Sequence, residues 1–128
     1  MKPDNYQKPK VLIADDDASY RLMLTLILEE RGWEVSTANN GREAIRKVLA
    51  QKPDLLILDY QMPVLTGGEV YQNLQSNGIK LPVVLVSSES ALEKLASSLG
   101  IADFLHKPFD VGELITIVQS AHEKFRNY

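Results

Sequence analysis

Five short apolar runs punctuate the chain: Val11-Leu12-Ile13-Ala14, Trp33 to Ala38, Leu55-Leu56-Ile57-Leu58, Val83-Val84-Leu85-Val86 and Phe104-Leu105. Each is too short for a core helix and rich in strand-forming residues, so each predicts a β-strand. The first, third and fourth are apolar at every position, as in strands covered on both faces of a parallel sheet. Glu34-Val35-Ser36-Thr37 alternates instead and belongs nearer an edge. Between the runs the period lengthens. Ile45, Val48 and Leu49 share one helical face, as do Leu92, Leu95, Ala96 and Leu99, and as do Leu114, Ile117, Val118, Ala121 and Phe125. Turn formers stand at the seams: Gly32, Asn39-Asn40-Gly41, Pro53, Pro63, Asn77-Gly78, Pro82, Gly100 and Pro108. Strand then helix, five times over, predicts an α/β fold: a doubly wound five-stranded parallel sheet with five helices on its two faces, joined by right-handed crossovers.

The chain has 128 residues and 45% apolar content, enough for a single core and no second domain. Residues 1 to 9, polar and bearing Pro3 and Pro9, are expected to form a flexible tail ahead of a domain at 10 to 128. A formal charge of -3 without a long basic run argues against direct nucleic-acid binding. The absence of cysteine excludes disulfides, thiol nucleophiles and thiolate zinc sites. Met1 to Lys10 lacks the apolar stretch of a signal peptide, and nowhere do the ~18 apolar residues of a spanning helix run together. A soluble, cytoplasmic protein without a membrane partner is expected.

In an open parallel sheet the ligand crevice lies beyond the carboxyl ends of the strands. After the first run come Asp15, Asp16 and Asp17; after the third, Asp59; after the fourth, Ser87 and Ser88; after the fifth, Lys107-Pro108. Carboxylates crowded at one edge repel, and a bound cation relieves them. Oxygen ligands without cysteine or a histidine cluster select a hard ion, and Mg²⁺, which accepts one or two carboxylates and keeps waters, fits best. Asp15 or Asp16, or both, with Asp59 would leave coordination positions open to phosphoryl oxygens. Three negative charges against Mg²⁺ and Lys107 sum to zero, so an anionic phosphate donor could approach. Asp59 would then serve as a carboxylate nucleophile in phosphoryl transfer.

Taken singly, each residue has a plainer use. An aspartate before a helix is often an N-cap, and Asp17, ahead of Ala18-Ser19-Tyr20-Arg21-Leu22, is assigned to capping. Ser87 and Ser88 could be turn hydroxyls, and Lys107 an ordinary surface lysine. The functional reading rests on coincidence: acids, hydroxyl and lysine each occupy a strand end.

Those residues resemble a known family. Val11 to Asp17, Asp54-Leu55-Leu56-Ile57-Leu58-Asp59-Tyr60-Gln61-Met62-Pro63, Leu81 to Ser87 and Phe104-Leu105-His106-Lys107-Pro108-Phe109 are similar to the receiver domains of bacterial response regulators, over about residues 10 to 122. The resemblance implies the flavodoxin-like receiver fold, with Asp59 as phosphoacceptor and Asp15, Asp16, Asp59 and the Gln61 backbone carbonyl at a Mg²⁺ site. It makes Ser87 the switch hydroxyl, Lys107 the ion-pair partner of the phosphoryl group and Phe104 the switch aromatic, with a cis Lys107-Pro108 peptide. Partners implied are a histidine kinase or histidine phosphotransfer protein, a downstream output protein or domain met through helix 4, strand 5 and helix 5, and a second copy in a phosphorylation-dependent homodimer. Such a receiver is a signalling protein that catalyses only its own phosphorylation and slow autodephosphorylation.

Three features depart from the common pattern. The Ser87 to Lys107 segment is shorter than in many members. Gly100-Ile101 stands where Gly-Ala is usual, so a larger side chain must pack under the fourth helix. Phe104 replaces the commoner tyrosine and lacks its hydroxyl. Two other classes on such sheets are disfavoured. A haloacid-dehalogenase-like phosphatase would carry its second aspartate where Gln61 stands. A flavin or dinucleotide carrier would need a phosphate loop where Asp15-Asp16-Asp17 would repel anions.

Overall fold

The computed structural model describes residues 7–126. The elements are β1 (Lys10–Ala14), α1 (Ala18–Glu30), β2 (Glu34–Ala38), α2 (Gly41–Gln51), β3 (Leu55–Asp59), α3 (Gly67–Ser76), β4 (Val83–Ser87), α4 (Leu92–Leu99), β5 (Asp103–His106) and α5 (Val111–Arg126). All five strands pair in parallel in the order β2-β1-β3-β4-β5. The alternating run lies on an edge as β2, and the apolar runs form the three central strands. Most of the expected tail, residues 1–6, lies outside the described residues. Pro9 already meets the sheet, its carbonyl accepting from the Glu34 N–H at 2.8 Å.

Alternate side chains of each strand feed two cores. Leu12, Leu56, Leu58 and Leu85 pack against α2, α3 and α4 through Val48, Val70, Leu74, Leu92 and Ala96. Val11, Ile13, Ile57, Val84 and Val86 pack against α1 and α5 through Leu24, Leu28, Leu114 and Val118. The sheet is therefore doubly wound, and its buried central strands are the rigid support from which the strand-end residues project.

Two expected core positions differ. Leu49 is 49% exposed because the buried stripe of α2 runs through Gly41, Ala44 and Val48, leaving Leu49 beyond its margin. Phe125, near the end of α5, is 45% exposed, in contrast to Leu114, Val118 and Ala121 earlier on that face. Ile101, by contrast, is buried in the cluster that holds Leu92 and Ala96 of α4. Its N–H donates to the Ala96 carbonyl at 2.9 Å, across Gly100 at φ 80°, a left-handed helix stop that suits glycine. α4 is the shortest of the described helices, eight residues, and its N-terminus has no side-chain cap.

Candidate functional site

The carboxyl ends of β1, β3, β4 and β5 converge on one acidic cluster. Asp59 is the last residue of β3, Asp15 directly follows β1, Ser87 closes β4, and Lys107 directly follows β5. Asp15, Asp59 and Ser87 are all buried, whereas Asp16 is exposed. Asp15, Asp16 and Asp59 each offer a carboxylate oxygen within 4.8 Å of the others. Asp17 is separate from this group: its side chain accepts from the Ser19 and Tyr20 N–H groups at 2.8 and 3.3 Å and caps α1.

Local hydrogen bonds fix the acids. Asp15 Oδ1 accepts from the Asp17 N–H at 2.9 Å, while its carbonyl accepts from the Arg21 guanidinium at 2.7 Å. Asp59 Oδ1 accepts from the Gln61 N–H at 3.3 Å. Lys107 reaches across to both, its Nζ 2.9 Å from Asp15 Oδ2 and 3.6 Å from Asp59 Oδ2. Its backbone N–H donates to the Ser87 carbonyl at 2.9 Å, so the hydroxyl and the ammonium belong to paired strands. The Lys107-Pro108 peptide is cis.

Burial, reinforced by the Asp15 charge, pushes the Asp59 carboxyl up to about 7 against the pull of Lys107 and the Gln61 N–H. Burial alone would lower Lys107, but its bond to Asp15 and the charges of Asp59 and Asp15 more than offset this and leave it raised. Three carboxylates thus face the single Lys107 ammonium. Oxygen donors, close spacing and the excess of carboxylates together fit a hard divalent cation such as Mg²⁺.

A rim of polar groups surrounds the cluster. Gln61 Nε2 donates to Glu89 Oε2 at 2.6 Å, and the Ser88 hydroxyl lies 3.5 Å from Gln61 Oε1. Ser87 Oγ accepts from the Glu89 N–H at 3.0 Å. Phe104 is half-buried against the core on the α4 side.

Sequence reasoning passed over Gly67, which opens α3. A Cβ there would lie 2.5 Å from the Asp59 carbonyl oxygen and 2.8 Å from Tyr60 Cα, so only glycine lets the helix start this close to the end of β3. The Gly67-Gly68 pair shortly after Pro63 was the available signal. Tyr20 was also missed, although its ring lies 4.0 Å from Lys107 Nζ.

The family model for the response regulator receiver domain matches residues 11–119. The transcriptional regulatory protein PrrA of Mycobacterium leprae is 38% identical over 114 residues, which are 88% of this chain and 49% of that protein. The alkaline phosphatase synthesis transcriptional regulatory protein PhoP of Bacillus subtilis is 36% identical over 107 residues, 82% of this chain and 45% of that one. The chain thus spans about half the length of these relatives. Among solved structures, the Francisella response regulator 1452 receiver domain superposes with a TM-score of 0.84 at 30% identity, covering 91% of this chain and 98% of its own. The chemotaxis response regulator CheY4 of Vibrio cholerae gives 0.81 at 34% identity, covering 90% and 99%. Among the described residues, no helix is long and apolar enough to cross a membrane.

Proposed function

The chain belongs to the response regulator receiver domains of two-component signalling, and on that premise we propose that it takes a phosphoryl group onto Asp59, in a Mg²⁺-dependent reaction, from a histidine kinase or histidine phosphotransfer protein. The observation that carries this reading is the convergence of three carboxylate oxygens within 4.8 Å, with the Lys107 ammonium 2.9 Å from Asp15 and 3.6 Å from Asp59. Asp15, Asp16, Asp59 and the Gln61 carbonyl would hold Mg²⁺. When bound, the ion would offset the charge of the carboxylates and draw electron density from the phosphoryl oxygens.

An Asp59 carboxylate oxygen attacks phosphorus, the new P–O bond forms as the P–N bond to the donor imidazole breaks, and the departing histidine nitrogen keeps the electron pair and takes a proton. Asp59 must be ionised to attack, and the adjoining Lys107 ammonium favours that form. Lys107 and the Ser87 hydroxyl then donate to the phosphoryl oxygens as charge-assisted hydrogen bonds. Water attack at phosphorus later breaks the bond to Asp59, releasing inorganic phosphate and returning the carboxylate, so the chain's chemistry is limited to its own phosphorylation and slow autodephosphorylation. The signal leaves through α4, β5 and α5, to an output protein or domain or to a second copy of the chain.

Incubation with a small acyl phosphate, followed by intact-mass measurement, tests the chemistry. Wild type with Mg²⁺ gains one phosphoryl group, and Asp59→Asn or chelated wild type gains none. Equal incorporation in all three overturns the assignment.

A further inference from the structure

An ammonium has three donors and no acceptor, and among the described residues two carboxylates, Asp15 and Asp59, pair with Lys107. Its side chain is 12% exposed, which leaves water little access to the third donor. Tyr20 fills that position. It stands in the first turn of α1, three residues after the cap at Asp17, with its ring centroid 4.0 Å from Lys107 Nζ. The same ring packs against Phe109, with centroids 5.9 Å apart and planes tilted by 49°. Tyr20 therefore touches both residues flanking Pro108 and ties the segment between β5 and α5 to the start of α1.

The negative face of an aromatic ring attracts a cation, most strongly where water is excluded. Lysine has a long flexible stem, and a third contact narrows the positions its ammonium can take beside the carboxylates. We propose that Tyr20 is a positioning residue for phosphoryl uptake, its ring face holding the Lys107 ammonium at Asp15 and Asp59 before the phosphoryl group arrives. This rests on the reading of Asp59 as phosphoacceptor. Pre-placing the cation beside Asp59 leaves only a short movement to be made in the transfer step. The ring acts through its face, so the hydroxyl is dispensable and phenylalanine retains the effect.

The test uses the full chain with Mg²⁺ and a small acyl phosphate as donor, comparing wild type, Tyr20→Phe and Tyr20→Leu. Tyr20→Leu should lower the phosphorylation rate at saturating donor about five- to tenfold, the range a partly desolvated cation–ring contact supports, with the half-saturating donor concentration unchanged. Tyr20→Phe should stay within about twofold of wild type. In the unphosphorylated protein, NMR should find the Lys107 ε-methylene protons upfield of those of the other lysines in wild type and Tyr20→Phe, and returned to the ordinary lysine position in Tyr20→Leu. Full-speed uptake by Tyr20→Leu, Tyr20→Phe as slow as Tyr20→Leu, or no ring-current shift on Lys107 in wild type overturns the inference. Should wild type take up no phosphate at all, the proposed function falls, and the ring-current comparison still decides whether Tyr20 holds Lys107.

Discussion

The ammonium of Lys107 forms its short ion pair with Asp15, at 2.9 Å. It stands farther from Asp59, at 3.6 Å, so a phosphoryl group there would draw the lysine away from its present partner. Lys107→Ala should therefore still incorporate phosphate, at a reduced rate, but lose most phosphate-dependent partner binding or self-association. Labelling and affinity measured on the same samples check this, and loss of both in equal measure would contradict it.

The acids divide by role. Asp15→Asn and Asp16→Asn should each weaken Mg²⁺ binding by about tenfold or more, since each removes a charged oxygen from the cluster. Asp17→Asn should leave the metal affinity near wild type because asparagine also caps, whereas Asp17→Ala should lower stability by about 1 kcal/mol. Calorimetric titration with Mg²⁺ and urea melts separate the two effects. Strong loss of Mg²⁺ affinity in Asp17→Asn would reverse the assignment.

Much of this site can be read along the chain, because a buried parallel strand is an unbroken apolar run and the next residue must emerge at the crevice. Asp15, Asp59 and Ser87 are all recognisable in that way, Lys107 stands one residue further on, after His106 at the end of the edge strand β5, and Asp17 announces itself as a cap by its place before Ala18. Tyr20 is not, since its partner Lys107 is brought to it only when β5 packs beside β4, and no local period encodes that approach. Gly67 was missed for a related reason: its requirement is a backbone contact with Asp59 and Tyr60. Leu49 misled because a small shift in helical phase moves a side chain from the core margin to solvent.

Asp59 gives metal-free stability a component that falls as pH rises. The folded Asp59 carboxyl sits at about 7, above its ordinary value of 3.8, so between these limits the folded protein holds a proton that the unfolded chain has released. The Asp59 contribution is fully present below the lower limit, declines through the window by on the order of 2 to 4 kcal/mol, and levels off above the upper one. Asp59→Asn should flatten this slope and be the more stable protein above about pH 7 without metal. Added Mg²⁺ should raise the melting temperature of wild type more than that of the variant. Urea melts across pH, with and without chelator, give both comparisons.

The approach of α3 to β3 makes a sharp demand on residue size. Gly67→Ala would drive a methyl group into the Asp59 carbonyl and the Tyr60 backbone, neither of which is a flexible side-chain end. We expect a loss of about 2 kcal/mol or more, and slower labelling of Asp59 because its own peptide must shift. Gly78→Ala serves as a contrast: at φ 71° it strains the backbone but meets no atom within 4 Å and stands at the end of α3, so labelling should be unaffected.

Val64 sits at φ 75°, with the Leu65 N–H donating to the Pro63 carbonyl at 2.9 Å. That three-residue turn is strained for a β-branched residue, and the side chain is 62% exposed. Little packing is lost on truncation, so Val64→Gly should raise stability by about 0.5 to 1 kcal/mol, relief of strain outweighing the added freedom of the unfolded chain. A destabilised Val64→Gly would mean that Val64 packs in a way its exposure conceals.

Ser87 Oγ accepts from the Glu89 N–H at 3.0 Å, and Gln61 grips the Glu89 carboxylate at 2.6 Å, so Glu89, in the segment leading into α4, is held by both its backbone and its side chain. The Ser87 hydroxyl can accept from Glu89 and still donate its own proton, so a phosphoryl group on Asp59 that draws Ser87 toward it pulls on the Glu89 segment through that bond. α4 resists weakly, being eight residues long and without a side-chain cap. Movement there opens space beside Phe104, now half-buried against the same core, and deeper burial of its ring would favour the shifted arrangement. A bias of a few kcal/mol is enough to invert a two-state population. Ser87→Ala should therefore reduce phosphate-dependent binding more than phosphate uptake, and Phe104→Ala should leave uptake intact while uncoupling it from binding. NMR shifts of residues 89 to 120 follow the change directly. Should phosphorylated wild type leave that face unaltered, or Phe104→Ala respond as wild type does, the signal travels by a route other than α4 and β5.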